Sequence, residues 1–310
     1  MQTRLTPATL ALLLLPPLLW AGNAVVGRMV HTLIPPMTFN LLRWLIAGVL
    51  VLPLAWRALL PASEVWRLWP RFALLGLLGV GSYNALQYLA LQTSQPLNIT
   101  LVGASLPVWT LLIGRLFFGA RAGRAQLAGA ALSLGGVLVV LSHGDWDTLR
   151  ALRLVPGDAL IVVATIAWAT YGWLLARPKE SAALRGDWSA FLLAQIVFGS
   201  LWAGAFTGLE WTLGTPQVHW GWPLAAALAF VAIGPAVVAY RCFGIGVQRV
   251  GPNVSAFFYN LTPLFAALLS AAFLGELPHA YHAAAFALIV AGIVLSTRKP
   301  AAAGPCGPGS

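Results

Sequence analysis

The stretch PVWTLLIGRLFFGARAGRAQLAGAALSLGGVLVVL, Pro107 to Leu141, lies without gaps on PLFAALLSAAFLGELPHAYHAAAFALIVAGIVL, which begins at Pro263, when displaced by 156 residues. Pro96 then falls on Pro252, Phe117 on Phe273, Gly119 on Gly275, Leu132 on Leu288 and Gly136 on Gly292. A displacement of half a 310-residue chain is the mark of an internal duplication. Upstream, Trp20-Ala21 resembles Trp168-Ala169, and each pair is followed by a basic residue near the end of its apolar run, Arg28 or Arg177.

Neither copy is suited to water. The chain is 59% hydrophobic and 8% charged, with a mean hydropathy of +0.83, so too few polar side chains exist to cover a globule. A spanning helix needs about 20 apolar residues. Apolar runs at about 8–29, 36–57, 70–92, 95–119, 123–142, 156–177, 187–208, 222–247, 252–275 and 279–297 predict ten such helices and leave no room for a soluble catalytic domain. The predicted fold is therefore an all-α polytopic membrane protein. Its halves are residues 1–145 and 146–298, five spans each, with a disordered Gly/Pro/Ala-rich tail at 299–310. Five is odd, so the halves enter the bilayer in opposite senses. Such inverted repeats let carriers expose one central site to each side in turn.

The 18 Lys and Arg against 8 Asp and Glu give a net charge of +10, and the basic residues cluster beside apolar runs. That pattern reports topology and not nucleic-acid binding. With the N-terminus inside, Arg57, Arg67, Arg71, Arg177, Lys179 and Arg185 fall on the cytoplasmic side, and only Arg28, Arg150 and Arg153 fall outside. Both termini are predicted to be cytoplasmic. The protein's partners would be the lipid bilayer and a small-molecule substrate. The oligomeric state is not written in the sequence, and a monomer is compatible with it. Two cysteines, Cys242 and Cys306, build neither a disulfide framework nor a thiolate metal site.

Polar groups inside the hydrocarbon are costly and tend to face a cavity. Arg43, seven residues into the second span, could attract a substrate carboxylate or bridge helices through backbone carbonyls. Tyr83, Asn84, Gln87 and Tyr88 share one helical face of the third span. Two aromatics beside two amides suit a pocket that stacks on a side chain while hydrogen-bonding an amino or carboxyl group, or else they join packed helices. Trp20 with Asn23, and Trp168 with Tyr171, repeat an aromatic and a neighbour three residues on. Pro107 and Pro263 sit near the middle of the fourth and ninth spans, where each frees a carbonyl, at Gly103 and Tyr259; both are candidate hinges, with Asn98, Ser105, Asn260 and Thr262 close by. Gly76, Gly79 and Gly81 read as a packing seam.

All eight acids fall in loops or at span ends, so no intramembrane proton or sodium site is visible. There is no Walker loop, no paired catalytic carboxylate and no nucleophile with its base, and Glu276, His279 and His282 form one short outer cluster. No metal, cofactor or enzymatic activity is expected. A channel and a membrane-embedded enzyme are the rival classes to a carrier.

Taken together, Trp20 to Asn23 (WAGN), Arg43-Trp44, the Tyr88-to-Ser94 segment, Pro107, Pro263 and Gly275-Glu276 give the chain a pattern over residues 8 to 297 that resembles the EamA-type branch of the drug/metabolite transporter superfamily. Gly119-Ala120-Arg121 departs from it, since the family often carries Gly-Glu there. The resemblance implies ten helices with termini inside and export of amino acids, their derivatives or toxic cations across the inner membrane. Within the branch the chain is most similar to the YddG-type exporters of aromatic and other neutral amino acids.

Overall fold

The computed structural model describes residues 6–90, 93–94, 102–142, 144–151, 153, 155–274 and 280–297. Asn98, the Gly275-Glu276 motif, His279 and the tail 299–310 lie outside the described residues. The described chain is built of helices joined by short turns: α1 (Pro7–Met29), α2 (Pro36–Ala55), α3 (Trp69–Leu75), α4 (Tyr83–Ala90), α5 (Leu106–Phe118), α6 (Arg124–Leu141), α7 (Pro156–Ala176), α8 (Trp188–Leu213), α9 (Trp222–Val231), α10 (Ala239–Tyr259), α11 (Thr262–Leu274) and α12 (Ala280–Thr297). Eight helical stretches among the described residues are long and apolar enough to cross a membrane, and the 13-residue α5 is shorter. The protein is thus a multi-pass membrane protein.

Local rules account for the ends. Pro7, Pro36, Pro107, Pro156 and Pro223 occupy the first turn of their helices, where a missing N–H costs nothing. Gly119 closes α5 at φ +65°, a left-handed cap that side chains disfavour. Asp187 caps α8 by accepting from the Ser189 and Ala190 amides, both at 3.0 Å.

The helical stretch Trp222–Tyr259 is interrupted by a kink at the non-helical Gly251 (φ +84°), where the boundary between the eighth and ninth spans is expected. Two features differ from the sequence expectation. The segment expected as a single ninth span breaks at Asn260 and Leu261 before α11. Pro107 and Pro263 therefore begin half-helices and do not kink continuous ones. The freed carbonyls expected at Gly103 and Tyr259 mark the breaks themselves, and a Cβ on Gly103 would sit 3.6 Å from the Tyr259 hydroxyl. Finally, α8 extends five residues past the expected 208, which carries Glu210 to the start of α2.

Glu210 accepts from the Met37 and Thr38 amides, at 2.9 and 3.0 Å, and from the Thr38 hydroxyl at 2.9 Å. The residue before α2 is Pro35, which has no side chain able to cap, so a carboxylate from another helix meets the positive end of the dipole. Glu210→Ala is expected to destabilise the protein by about 1–3 kcal/mol, the cost of unsatisfied buried donors. A thermal midpoint unchanged by that substitution would show that water serves α2 equally well.

Because lipid tails are as apolar as leucine, close backbone packing and interhelical hydrogen bonds hold the bundle together. Gly76 lies against Gly199 (a Cβ would be 2.5 Å from its amide nitrogen), Gly79 against the Tyr171 ring and Gly81 against Trp202, as a packing seam requires. Gly114 receives the Trp173 indole, whose N–H donates to Thr110 O at 2.8 Å. Gly129, Gly136 and Gly292 bring α6 and α12 into backbone contact. Large apolar side chains such as Val49, Leu116, Phe117 and Leu213 face outward.

The 156-residue displacement recurs in the helices. The pairs α5 and α11 (13 residues each) and α6 and α12 (18 each) stand that far apart. So do two π-helical stretches of seven residues, Gly76–Ser82 between α3 and α4 and Ala232–Val238 between α9 and α10.

Candidate functional site

At the centre of the bundle lies a cavity of about 90 Å³ lined by residues of α1, α4, α7, α10 and α11. Trp20, Asn23, Tyr83, Gln87, Trp168, Tyr259, Asn260 and Pro263 are all on its wall, together with Asn84 and Thr262. Its framework is a box of rings. The Trp20 and Trp168 centroids are 5.3 Å apart at 87°, an edge-to-face contact; Tyr83 lies 5.2 Å from Trp168, and Tyr240 5.4 Å from it. Such pairs are favourable beyond their buried area. The Tyr83 and Tyr259 hydroxyls hydrogen-bond across the cavity, joining α4 to the broken end of α10.

Between the rings stand neutral polar groups. Asn260 is fully buried and donates through Nδ2 to Ser133 Oγ at 2.9 Å, while its Oδ1 has no partner among the described residues. Thr262 Oγ1 and the Trp168 indole N–H are likewise unpartnered there. A buried polar atom without a partner is costly unless something else supplies one. Among the described residues, no Asp, Glu, Lys, Arg or His lines the cavity.

Three residues expected in the pocket stand one layer behind it. Arg43 is 1% exposed, donates through Nη1 to Asn23 Oδ1 at 3.2 Å and lies 5.0 Å from the Trp44 ring centroid. The nitrogen Nδ2 of Asn23 in turn donates to the Tyr88 hydroxyl at 3.4 Å. Arg43 and Tyr88 thus grip the two ends of one wall amide and fix which way it faces, and the guanidinium meets the cavity through that amide. Tyr171 donates to Gln195 Oε1 at 2.8 Å and packs its ring 5.0 Å from Trp168. Asn98 lies outside the described residues.

Sequence reasoning missed Tyr240 and Phe243, the latter with its ring 5.6 Å from Trp20. The signal was present, because the 156-residue displacement carries Asn84 onto Tyr240 and Gln87 onto Phe243. The polar face of α4 and the aromatic face of α10 are thus the same register positions of the two copies.

A solved crystal structure superposes with a TM-score of 0.72 over 94% of this chain and 96% of its own, at 24% identity, which establishes the fold. Among curated proteins, the chain is 25% identical over 284 residues to the aromatic amino acid exporter YddG of Ancylobacter novellus, covering 90% of this chain and 93% of that one. It is 27% identical over 235 residues to a probable terminal-alkyne amino-acid exporter of Streptantibioticus cattleyicolor, covering 74% and 73%. Residues 8–142 and 155–298 each match the EamA-like transporter family. With nearly its whole length matched in two successive copies, this chain is a membrane transporter of the EamA-like family and not an enzyme.

Proposed function

We propose that the protein is a carrier of the inner membrane that exports neutral amino acids, aromatic ones above all, by alternating access through the central cavity. The observation that carries this reading is the wall itself. Aromatic rings can hold an apolar or aromatic side chain, and unpartnered amide, hydroxyl and indole groups can hydrogen-bond an ammonium and a carboxylate. A wall without a carboxylate among the described residues, with the Arg43 guanidinium one residue behind Asn23, disfavours cationic drugs. Names of relatives point the same way, since two of them are named as exporters of amino acids.

The proposed topology has ten spans with both termini in the cytoplasm. The helical stretch Trp222–Tyr259, divided by the kink at Gly251, supplies the eighth span and the first part of the ninth, and α5 and α11 act as half-helices of the fourth and ninth. Residues 1–145 and 146–298 are the two inverted halves, supported by equal helix lengths at the 156-residue displacement. Pro107 and Pro263 serve as hinges because each opens the half-helix that comes after a break at the cavity. Rocking about these points exposes the cavity to one side at a time. With no acidic or basic side chain among the described wall residues, transport follows the substrate gradient.

The test is counterflow in liposomes. Labelled L-phenylalanine should accumulate only when the vesicles are preloaded with an unlabelled neutral amino acid, with no ion gradient, and cationic dyes should not compete. Tyr83→Ala and Arg43→Ala should each slow it by about tenfold or more, a loss of roughly 1.4 kcal/mol, at unchanged membrane expression. Flux indifferent to preloading would mean a channel, and uptake driven by a pH gradient alone would overturn the gradient-following mechanism.

A further inference from the structure

The two π-helical stretches, Gly76–Ser82 and Ala232–Val238, occupy equivalent places in the two copies. A π turn pairs each carbonyl with an amide five residues on, carries one extra residue and is rarely held without a reason. Each is fastened from outside its own helix. Gly79 O, in the first, accepts a hydrogen bond from the Tyr240 hydroxyl; Pro235 O, in the second, accepts one from the Trp20 indole N–H at 3.4 Å. Gly79 and Pro235 are themselves 156 residues apart, so the same carbonyl of each copy takes the same kind of contact. Both donors line the cavity, with ring centroids 6.4 Å apart. The donors also cross between copies, Tyr240 of the second half holding the first half's turn and Trp20 of the first half holding the second's.

Each wide turn sits directly before a wall segment. Gly76–Ser82 leads into Tyr83, Asn84 and Gln87, and Ala232–Val238 leads into Tyr240, with Phe243 behind it against the Trp20 ring. Loss or migration of the extra residue rotates the downstream helix by about 100°, one residue's step around a 3.6-residue helix. Such a rotation would carry the cavity's polar face away from the centre. Small residues at Gly76 and Gly79 and the missing N–H of Pro235 keep the wide geometry accessible.

We infer that Trp20 and Tyr240 are positioning residues of the transport cycle: each locks the π turn of the opposite half, and a substrate whose carboxylate competes for the indole N–H or phenol O–H releases that turn to change register. The inference rests on the carrier reading for its role in transport, but its structural part stands independently. Tyr240→Phe and Trp20→Phe remove the donors and keep a ring in place.

The experiment is amide hydrogen exchange of the full chain in lipid nanodiscs. Tyr240→Phe should raise exchange in residues 76–82 by about five- to tenfold and leave 232–238 as in the parent; Trp20→Phe should do the reverse, as loss of one hydrogen bond predicts. In counterflow of labelled L-phenylalanine, both variants should change the maximal rate severalfold, because the lock acts on the conformational step, and the half-saturating concentration should rise with it, because the lost donor is also the group that the substrate carboxylate engages. Exchange unchanged in the opposite half, raised only around the substituted residue, or raised across the whole chain overturns the inference, as does a half-saturating concentration that rises at constant maximal rate. Failure of the parent protein to show counterflow would sink the carrier reading alone, because the exchange pattern decides the cross-half lock without any transport.

Discussion

Glu180→Ala is expected to lower the stability of the solubilised protein by about 3–5 kcal/mol, the penalty for removing one partner of a buried ion pair. The Glu180 side chain is fully enclosed, and its Oε2 lies 2.6 Å from Arg71 Nε and its Oε1 2.8 Å from Arg185 Nη1. Oxygen Oε2 also accepts from the Lys179 amide at 3.0 Å. The same two guanidiniums cap the end of α7 through Leu174 O and Leu175 O, at 3.0 and 2.8 Å. Deleting the carboxylate would leave Arg71 and Arg185 together, largely shielded from solvent and mutually repelling, at the junction of α3 with the α7–α8 loop. Burial works to raise the Glu180 pKa, but the hydrogen bonds from Arg71 and the Lys179 amide outweigh it, and the carboxyl ionises below its ordinary value. A group whose folded pKa is depressed stabilises above its unfolded value and loses that contribution as pH falls through the folded one. The thermal midpoint gap between the parent and Glu180→Ala should therefore be constant from neutral pH down to about 5 and narrow only in stronger acid. Scanning fluorimetry across that range checks it; a gap of only a degree or two at neutral pH would show that the arginines find other acceptors.

Gly292→Val is expected to be at least as damaging to assembly of the bundle. A Cβ at Gly292 would sit 2.6 Å from the Gly129 carbonyl oxygen and 2.9 Å from the Ser133 amide nitrogen, both backbone atoms that cannot rotate aside. The α6 and α12 helices must then separate along a seam that also includes Gly129 and Gly136. Overpacking of this kind costs about 1–3 kcal/mol in soluble cores and more where backbone is displaced. The neighbouring Gly135 is the control. A Cβ there meets nothing within 4 Å, so Gly135→Ala should be neutral or stabilise by about 0.5–1 kcal/mol through helix propensity. Equal melting of Gly292→Val and the parent would mean that the two helices do not pack as tightly as the structure shows.

The apolar runs were legible because hydrocarbon tolerates few alternatives to long helices, and the repeat was legible because the chain keeps Pro107 and Pro263 in step across a 156-residue displacement. The cavity face of α4 was legible as well, since Tyr83, Asn84 and Gln87 would have no reason to share a face toward lipid. Arg43 was harder. A charge in a span announces itself, but whether it meets the cavity or stands behind Asn23 depends on where a neighbouring helix sits, and that distance is absent from a linear chain.

By itself, then, the sequence determined a multi-pass helical membrane protein, the positions of most spans, the internal repeat and a set of aromatic and amide residues suited to one pocket. Tertiary structure alone decided that Glu210 caps α2, that Glu180 joins Arg71 to Arg185, that Arg43 and Tyr88 hold the two ends of Asn23, and that Trp20 and Tyr240 reach across to equivalent π turns. The physical reason is common to all four. Periodicity and hydropathy are local and set which helices form and which faces are polar, whereas these contacts join one helix to another or to a loop, across separations of up to 215 positions, and exist only once those segments have packed.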